Sequence, residues 1–296
     1  MLAVVGTVPD ADFPLLSGEV RLETDAIRLA DRRVPVNRGT PALLAALIKA
    51  GEVLNLPLPY AYLVGDIGLG DGSRRLYEHL VKHLPLSDFS LLTFHYLQPD
   101  VDWHNKVLFA IEEMKRKPKL LADAGFMYAA KMSGESEAYE LFTPDAGELA
   151  FLADEEAPHP FYTRGFILHD ENLIPDLITR AYDHLNAAHY LLVKGRQDYV
   201  ASREGIHAII DHPVDEALEA MGGTGDSLTG LVSALMASGM ETLEATTLAA
   251  RINRVAGHYA EPDPASQVMQ IIEHIPRAME EVLQREKKRH ELTHRP

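Results

Sequence analysis

The sequence predicts an α/β protein: a mostly parallel sheet with helices on both faces. Two observations predict it. Short apolar runs rich in β-branched and aromatic residues alternate with amphipathic stretches of helical period along most of the 296 residues. Hydrophobic residues make up 46% and charged residues 24%, ordinary globular proportions in a chain long enough to bury a large core without staples. There is no internal repeat and no low-complexity linker. One large domain is therefore expected over 37–284, preceded by an N-terminal edge extension (1–36) and followed by a charged, solvated tail (285–296).

In 1–36 only short β-like pieces stand out, Val20–Leu22 and Ile27–Leu29. Helical spacing of apolar residues then predicts a helix near Pro41–Ala50, followed by a strand at Ala61–Val64 and a helix at Gly72–His83. The same alternation gives a strand at Leu91–His95, a helix at Val101–Met114 and strands at Lys119–Ala122 and Tyr139–Phe142. Helices at Ala146–Ala153 and Leu173–Ala187 precede a strand at Tyr190–Val193. Tyr199–Ser202 and His207–Ile210, split by Arg203-Glu-Gly205, form an expected hairpin at the sheet's edge. Beyond Gly225 the chain reads helical: Asp226–Ala237, Thr242–Tyr259 and Ala265–Leu283, with breaks at Gly239 and Pro262-Asp-Pro264.

Charge and cysteine content exclude several functions. Lys and Arg number 28 against 44 Asp and Glu, a net charge of −16 that argues against a nucleic-acid binder. It leaves room for a nucleotide, which can sit on backbone N–H groups in a small local site. With no cysteine there is no disulfide framework, thiolate metal site or cysteine nucleophile. The opening residues lack a basic n-region and no apolar run is long enough for a bilayer, so a cytoplasmic protein without a membrane partner is expected. The basic run Lys115–Lys119 suits a solvated helix end. His79 and His83, four apart, lack the third ligand of a zinc site. Trp103 suits packing, and Ser227 has no nucleophile elbow around it.

The chemistry concentrates in Gly222-Gly-Thr-Gly-Asp-Ser-Leu-Thr-Gly230. Gly222, Gly223 and Gly225 free the backbone around Thr224 to turn N–H groups toward one point, and the following helix adds its positive end. The result is an anion hole. Asp226 falls in the first turn of that helix, a base beside a phosphate cradle, as phosphoryl transfer to a hydroxyl requires. The bland alternative is a glycine-rich loop with an Asp helix cap.

This run resembles the G-x-G-D signature of the ribokinase-like superfamily, and more narrowly its ATP/ADP-dependent NAD(P)H-hydrate dehydratase branch. The likeness continues through Ala249–His258, the closing helix Ala265–Leu283, and Leu191-Leu-Val-Lys194-Gly195, similar to the strand that precedes the nucleotide site. Asn37-Arg-Gly39-Thr-Pro41-Ala42 loosely resembles the branch's first glycine-bearing loop. The resemblance implies a three-layer α/β/α ribokinase-like fold. It implies Asp226 as catalytic base, Gly222–Gly225 as anion hole, and Lys194, Gly195 and Asn253 near the nucleotide. It places Asn37, Gly39, Asp123 and Asp145 on the substrate side. ATP or ADP with Mg²⁺ is the implied cofactor set, a small molecule such as NAD(P)H hydrate the partner, and a homo-oligomer the expected assembly.

Two departures stand out. Where the branch has Pro-His-Pro-Gly-Glu, this sequence has Thr143-Pro-Asp145-Ala-Gly-Glu148, nearer the Asn-x-x-Glu string of sugar and vitamin kinases. Asp145 and Glu148 suit Mg²⁺ as oxygen ligands, or equally a helix cap and its first-turn partner. The branch's Gly-Pro-Gly-Leu-Gly slot holds Phe94–Pro99, with no glycine, while Gly65–Gly72 carries a similar string one strand earlier. Asp123, at a strand end, matches the branch's Asp-Ala-Asp string and otherwise reads as a turn former before Gly125. Three functions remain open: a hydrate dehydratase, a small-molecule kinase, and a nucleotide-binding homologue without turnover.

Overall fold

The computed structural model describes residues 1–157, 160, 173–263 and 265–293. The strands are β1 (Leu2–Val8), β2 (Leu16–Glu23), β3 (Ala26–Leu29), β4 (Arg32–Pro35), β5 (Tyr60–Gly65), β6 (Leu91–His95), β7 (Lys119–Ala122), β8 (Leu141–Phe142), β9 (Tyr190–Val193), β10 (Asp198–Ser202) and β11 (Gly205–Ile210). They form one sheet in the order β11-β10-β9-β8-β7-β6-β1-β5-β2-β3-β4. The run from β9 to β5 is parallel, and antiparallel strands finish both sides.

The helices are α1 (Thr40–Leu54), α2 (Asp71–His83), α3 (Val101–Glu112), α4 (Gly125–Ser133), α5 (Ala146–Ala153), α6 (Ile174–Asp183), α7 (Ala217–Ala220), α8 (Thr224–Ala237), α9 (Thr242–Ala260), α10 (Val268–Glu273) and α11 (Ile275–Thr293). Two apolar layers separate them. One face of the sheet packs residues of α1 and α8–α11, the other residues of α2–α6. Among the described residues no helix is long and apolar enough to cross a membrane.

Three expectations need correction. Leu2–Val8, read with 1–36 as an edge extension, runs through the middle of the sheet between β5 and β6. All seven of its residues are buried. A parallel strand covered on both faces is a continuous buried run, as at Leu91–His95, and nothing within such a run says which strands will flank it. The stretch Ala265–Leu283 is two helices, α10 and α11, broken at His274, with Pro276 in the first turn of the second. Residues 285–293, read as tail, continue α11; the charged face is the solvated side of a helix whose other side reaches the core through Met279 and Val282.

One contact positions the site. α1 and α8 lie so close that a Cβ at Gly230 would stand 2.2 Å from the Leu43 carbonyl oxygen. Only glycine permits that approach. It aligns the two helix N-termini side by side at the carboxyl edge of the sheet, where open α/β sheets hold their ligands.

Candidate functional site

Asp226 sits in the first turn of α8, buried at its stem. Its Oδ2 accepts the Gly39 N–H at 2.5 Å, and its Oδ1 lies 3.1 Å from His95 Nε2. Burial alone would raise its pKa, but the His95 hydrogen bond, the Lys194 charge and the Gly39 N–H outweigh it and hold the carboxyl below its ordinary value. Gly223 precedes α8 with φ +101°, and a Cβ there would press to 3.0 Å against Val268. Among the described residues no side chain caps α8, and its first N–H groups have no intrahelical partners.

Asp226, Gly223, Thr224 and Gly225 line a cavity of about 600 Å³, enough for a nucleotide. Asp123, Asp145, Glu148, Lys194, Gly195 and Asn253 line it too. The structure thus brings together the carboxyl ends of β6–β9 and the start of α8. Gly222 lies outside the lining, beside Arg38. Asn37 is exposed and lies outside it as well, and Gly39 meets the site through its N–H to Asp226.

Several of these residues already serve the protein itself. Lys194 Nζ bridges both oxygens of buried Asp123, at 2.8 and 2.9 Å. Burial would lower the Lys194 pKa, yet Asp123 and Glu148 raise it well above the usual lysine range. Asp123 also accepts from the Ala124 N–H and the Thr229 hydroxyl, so both its oxygens are engaged. Asn253 donates to the Thr224 carbonyl and accepts from Ser227, clamping the first turn of α8. The Gly195 N–H caps Asp198, whose carboxylate pairs with Arg254, and Arg254 also holds the Gly195 and Arg196 carbonyls.

Asp145 and Glu148 form a reciprocal capping box: each carboxylate accepts the other's backbone N–H at 2.8 Å. Glu148 Oε1 and Asp145 Oδ2 have no part in the box. Burial, followed by Asp123 and Asp145, pushes the Glu148 pKa up against the pull of Lys194. Among the described residues no three His, Asp or Glu cluster as a metal cage. The carboxylate oxygens left outside the box are hard donors of the kind Mg²⁺ takes, one or two at a time, together with phosphate and water. His79 and His83 stack on each other on α2, with centroids 3.8 Å apart and no third ligand.

Sequence reasoning missed His95, Thr40 and Arg38. His95 ends β6, fully buried, in the slot noted only for lacking glycines. Its place at the carboxyl end of a parallel strand was a usable signal. Arg38 immediately precedes Gly39, and its stem lies against Gly222. Among the described residues it has no ion-pair or hydrogen-bond partner.

Residues 99–277, more than half of the chain, match the family model described as NAD(P)H-hydrate dehydratase. The chain belongs to this family. The NAD(P)H-hydrate dehydratase family match includes the whole glycine run and Asp226. The uncharacterized protein MJ1337 of Methanocaldococcus jannaschii is 41% identical over 242 residues, 81% of this chain and 100% of the relative. The bifunctional NAD(P)H-hydrate repair enzyme Nnr of Pyrobaculum aerophilum is 26% identical over 258 residues, 81% of this chain. The matched region is 48% of Nnr, so the chain spans about half the length of that relative.

Solved structures share the fold. A ribokinase-like superfamily protein of Enterococcus faecalis has a TM-score of 0.57 at 12% identity, covering 95% of this chain and 87% of its own. The pyridoxal kinase of Staphylococcus aureus, in complex with AMP-PCP and pyridoxal, has a TM-score of 0.54 at 13% identity, covering 86% and 88%. This hydrate dehydratase family member has the ribokinase-like α/β fold.

Proposed function

We propose that the protein is a nucleotide-dependent dehydratase acting on a hydrated nicotinamide ring. One observation carries the proposal: Asp226 reaches the cavity from the first turn of a helix that no side chain caps among the described residues, beside N–H groups without intrahelical partners. A base and an anion cradle at one helix end suit transfer of a phosphoryl group to a hydroxyl. The terminal P–O bond of ATP or ADP breaks, a new P–O bond forms to the substrate oxygen, and the hydroxyl proton goes to Asp226. Elimination then breaks the substrate C–O bond. Phosphate leaves, and a proton leaves the neighbouring ring carbon to restore the double bond.

The α8 N–H groups would hold the transferred phosphoryl group. Lys194 and Arg254 are tied to Asp123 and Asp198, so among the described residues Arg196 on the cavity wall and Arg38 beside Gly222 would be the cations to meet phosphates. Asp145 and Glu148 would hold Mg²⁺, which supplies charge neutralisation to the phosphates when bound. The same pair favours a second reading, a small-molecule kinase, in which the phosphorylated product is released.

Asp226→Asn tests the assignment. It should lower kcat by roughly 10²–10⁴-fold with NADPH hydrate and ATP or ADP. It should keep the rise in Tm that nucleotide binding gives by mass action. Full turnover in the variant would overturn the role of Asp226. Turnover of sugars or vitamin alcohols, and none of NADPH hydrate, would move the kinase to first place. No nucleotide-induced Tm shift in the wild type would overturn both.

A further inference from the structure

Behind Asp226 lies a buried pair of side chains to which phosphoryl transfer assigns no task. His95 and Thr40 are both 0% exposed. The imidazole stands between them: Nδ1 is 3.0 Å from Thr40 Oγ1, and Nε2 is 3.1 Å from Asp226 Oδ1. Asp123 Oδ2 lies farther from Nε2, at 3.9 Å, and the Tyr96 ring meets the imidazole edge-on at 4.4 Å between centroids. Asp123 is already saturated by Lys194, Thr229 and the Ala124 N–H.

The hydrogen-bond inventory gives this chain of groups a direction. A buried hydroxyl must donate its proton somewhere. Among the described residues, the only hydrogen bond of Thr40 Oγ1 is to His95 Nδ1. The hydroxyl therefore donates and Nδ1 accepts. A neutral imidazole that accepts at Nδ1 carries its proton on Nε2. That N–H points at Asp226 Oδ1, while the Gly39 N–H holds Oδ2. Each carboxylate oxygen thus receives one donor from the protein side.

We infer that Thr40 and His95 are positioning residues for Asp226: the hydroxyl anchors the imidazole at Nδ1, and the Nε2–H fixes the carboxylate's orientation toward the cavity. The inference rests on Asp226 being the base. Thr40 opens α1, His95 closes β6 and Asp226 opens α8, so the device also ties together the three elements whose alignment makes the site.

The test has one arm that needs no turnover. In the full chain labelled with ¹⁵N-histidine at pH 7.5, two-bond correlations should show His95, assigned by its loss in His95→Gln, as the neutral Nε2–H tautomer. Thr40→Val, nearly isosteric, deletes the donor to Nδ1 and should shift the Nδ1 ¹⁵N resonance downfield, toward an imine nitrogen without a hydrogen bond, while Nε2 keeps its proton against Asp226. An imidazolium or an Nδ1–H tautomer in the wild type, or an unchanged spectrum in Thr40→Val, would overturn the inference.

The second arm is kinetic. His95→Leu should lower kcat about 10²-fold, the scale of a misplaced catalytic group, with nucleotide KM within a few-fold. His95→Gln, whose amide N–H can still reach Asp226, should recover at least 10-fold of that loss. Equal losses in Leu and Gln variants that track Tm would show a merely structural histidine and overturn the inference. If the wild type itself turns over no substrate, the proposed function fails while the tautomer measurement still decides the geometry.

Discussion

Lys194 offers the sharpest test of what this cavity is built from. Its Nζ bridges both oxygens of Asp123, which is 2% exposed, while the lysine side chain is 13% exposed. Lys194→Met keeps the stem and deletes the charge, leaving Asp123 with the Thr229 hydroxyl and the Ala124 N–H but no counter-ion. Removing one partner of a buried ion pair costs about 3–5 kcal/mol. At about 2 °C per kcal/mol for a domain of this size, Tm falls roughly 6–10 °C. Urea denaturation at pH 7.5 measures the loss. The double variant Lys194→Met with Asp123→Asn should recover most of it, because no buried charge remains. A loss below about 0.5 kcal/mol, the range of an ordinary surface substitution, would refute the reasoning and return Lys194 to the nucleotide as a free cation.

Other outcomes follow from the same geometry. Gly230→Ala forces a methyl to within 2.2 Å of the Leu43 carbonyl, so α1 and α8 must part; we expect a loss of about 1–3 kcal/mol in urea and a weakened Tm response to nucleotide. Arg38→Ala should raise nucleotide KM or lower kcat several-fold while changing stability by less than about 0.5 kcal/mol, since the side chain has no hydrogen-bond or ion-pair partner among the described residues. Glu148 holds its proton to higher pH folded than unfolded, so its contribution to stability is present below the ordinary Glu pKa and fades as pH rises through the folded value. Glu148→Gln retains an acceptor for the Asp145 N–H, and its Tm, followed from pH 5 to 9, should fall less steeply with rising pH than that of the wild type.

Much of the site was legible because local chemistry dictates it. A glycine run that opens a helix is a backbone statement, and Gly223 adopts the left-handed φ that its residue type permits. The Thr143–Glu148 string was equally legible as a cap or as oxygen ligands, and the capping box occupies one oxygen of each carboxylate without excluding the other use. The family resemblance puts Lys194 near the nucleotide, and Lys194 does line the cavity, but it says nothing of Asp123, distant in sequence by 71 residues, which engages the ammonium. No local pattern records such a pairing.

The sequence by itself determined the alternation of strands and helices, the edge hairpin, and a glycine loop opening a helix with a carboxylate in its first turn, since each is encoded by neighbours within a turn or two. Tertiary structure alone decided that Leu2–Val8 is central, because its neighbours β5 and β6 come from distant parts of the chain and strand order is set by that pairing. It alone decided the partners of Asp226. Gly39 lies 187 residues away and His95 131, and they meet Asp226 because α1 and α8 pack against each other through Gly230 at the end of a parallel sheet. Long-range contacts of that kind depend on shape complementarity between whole elements, which no window of sequence contains.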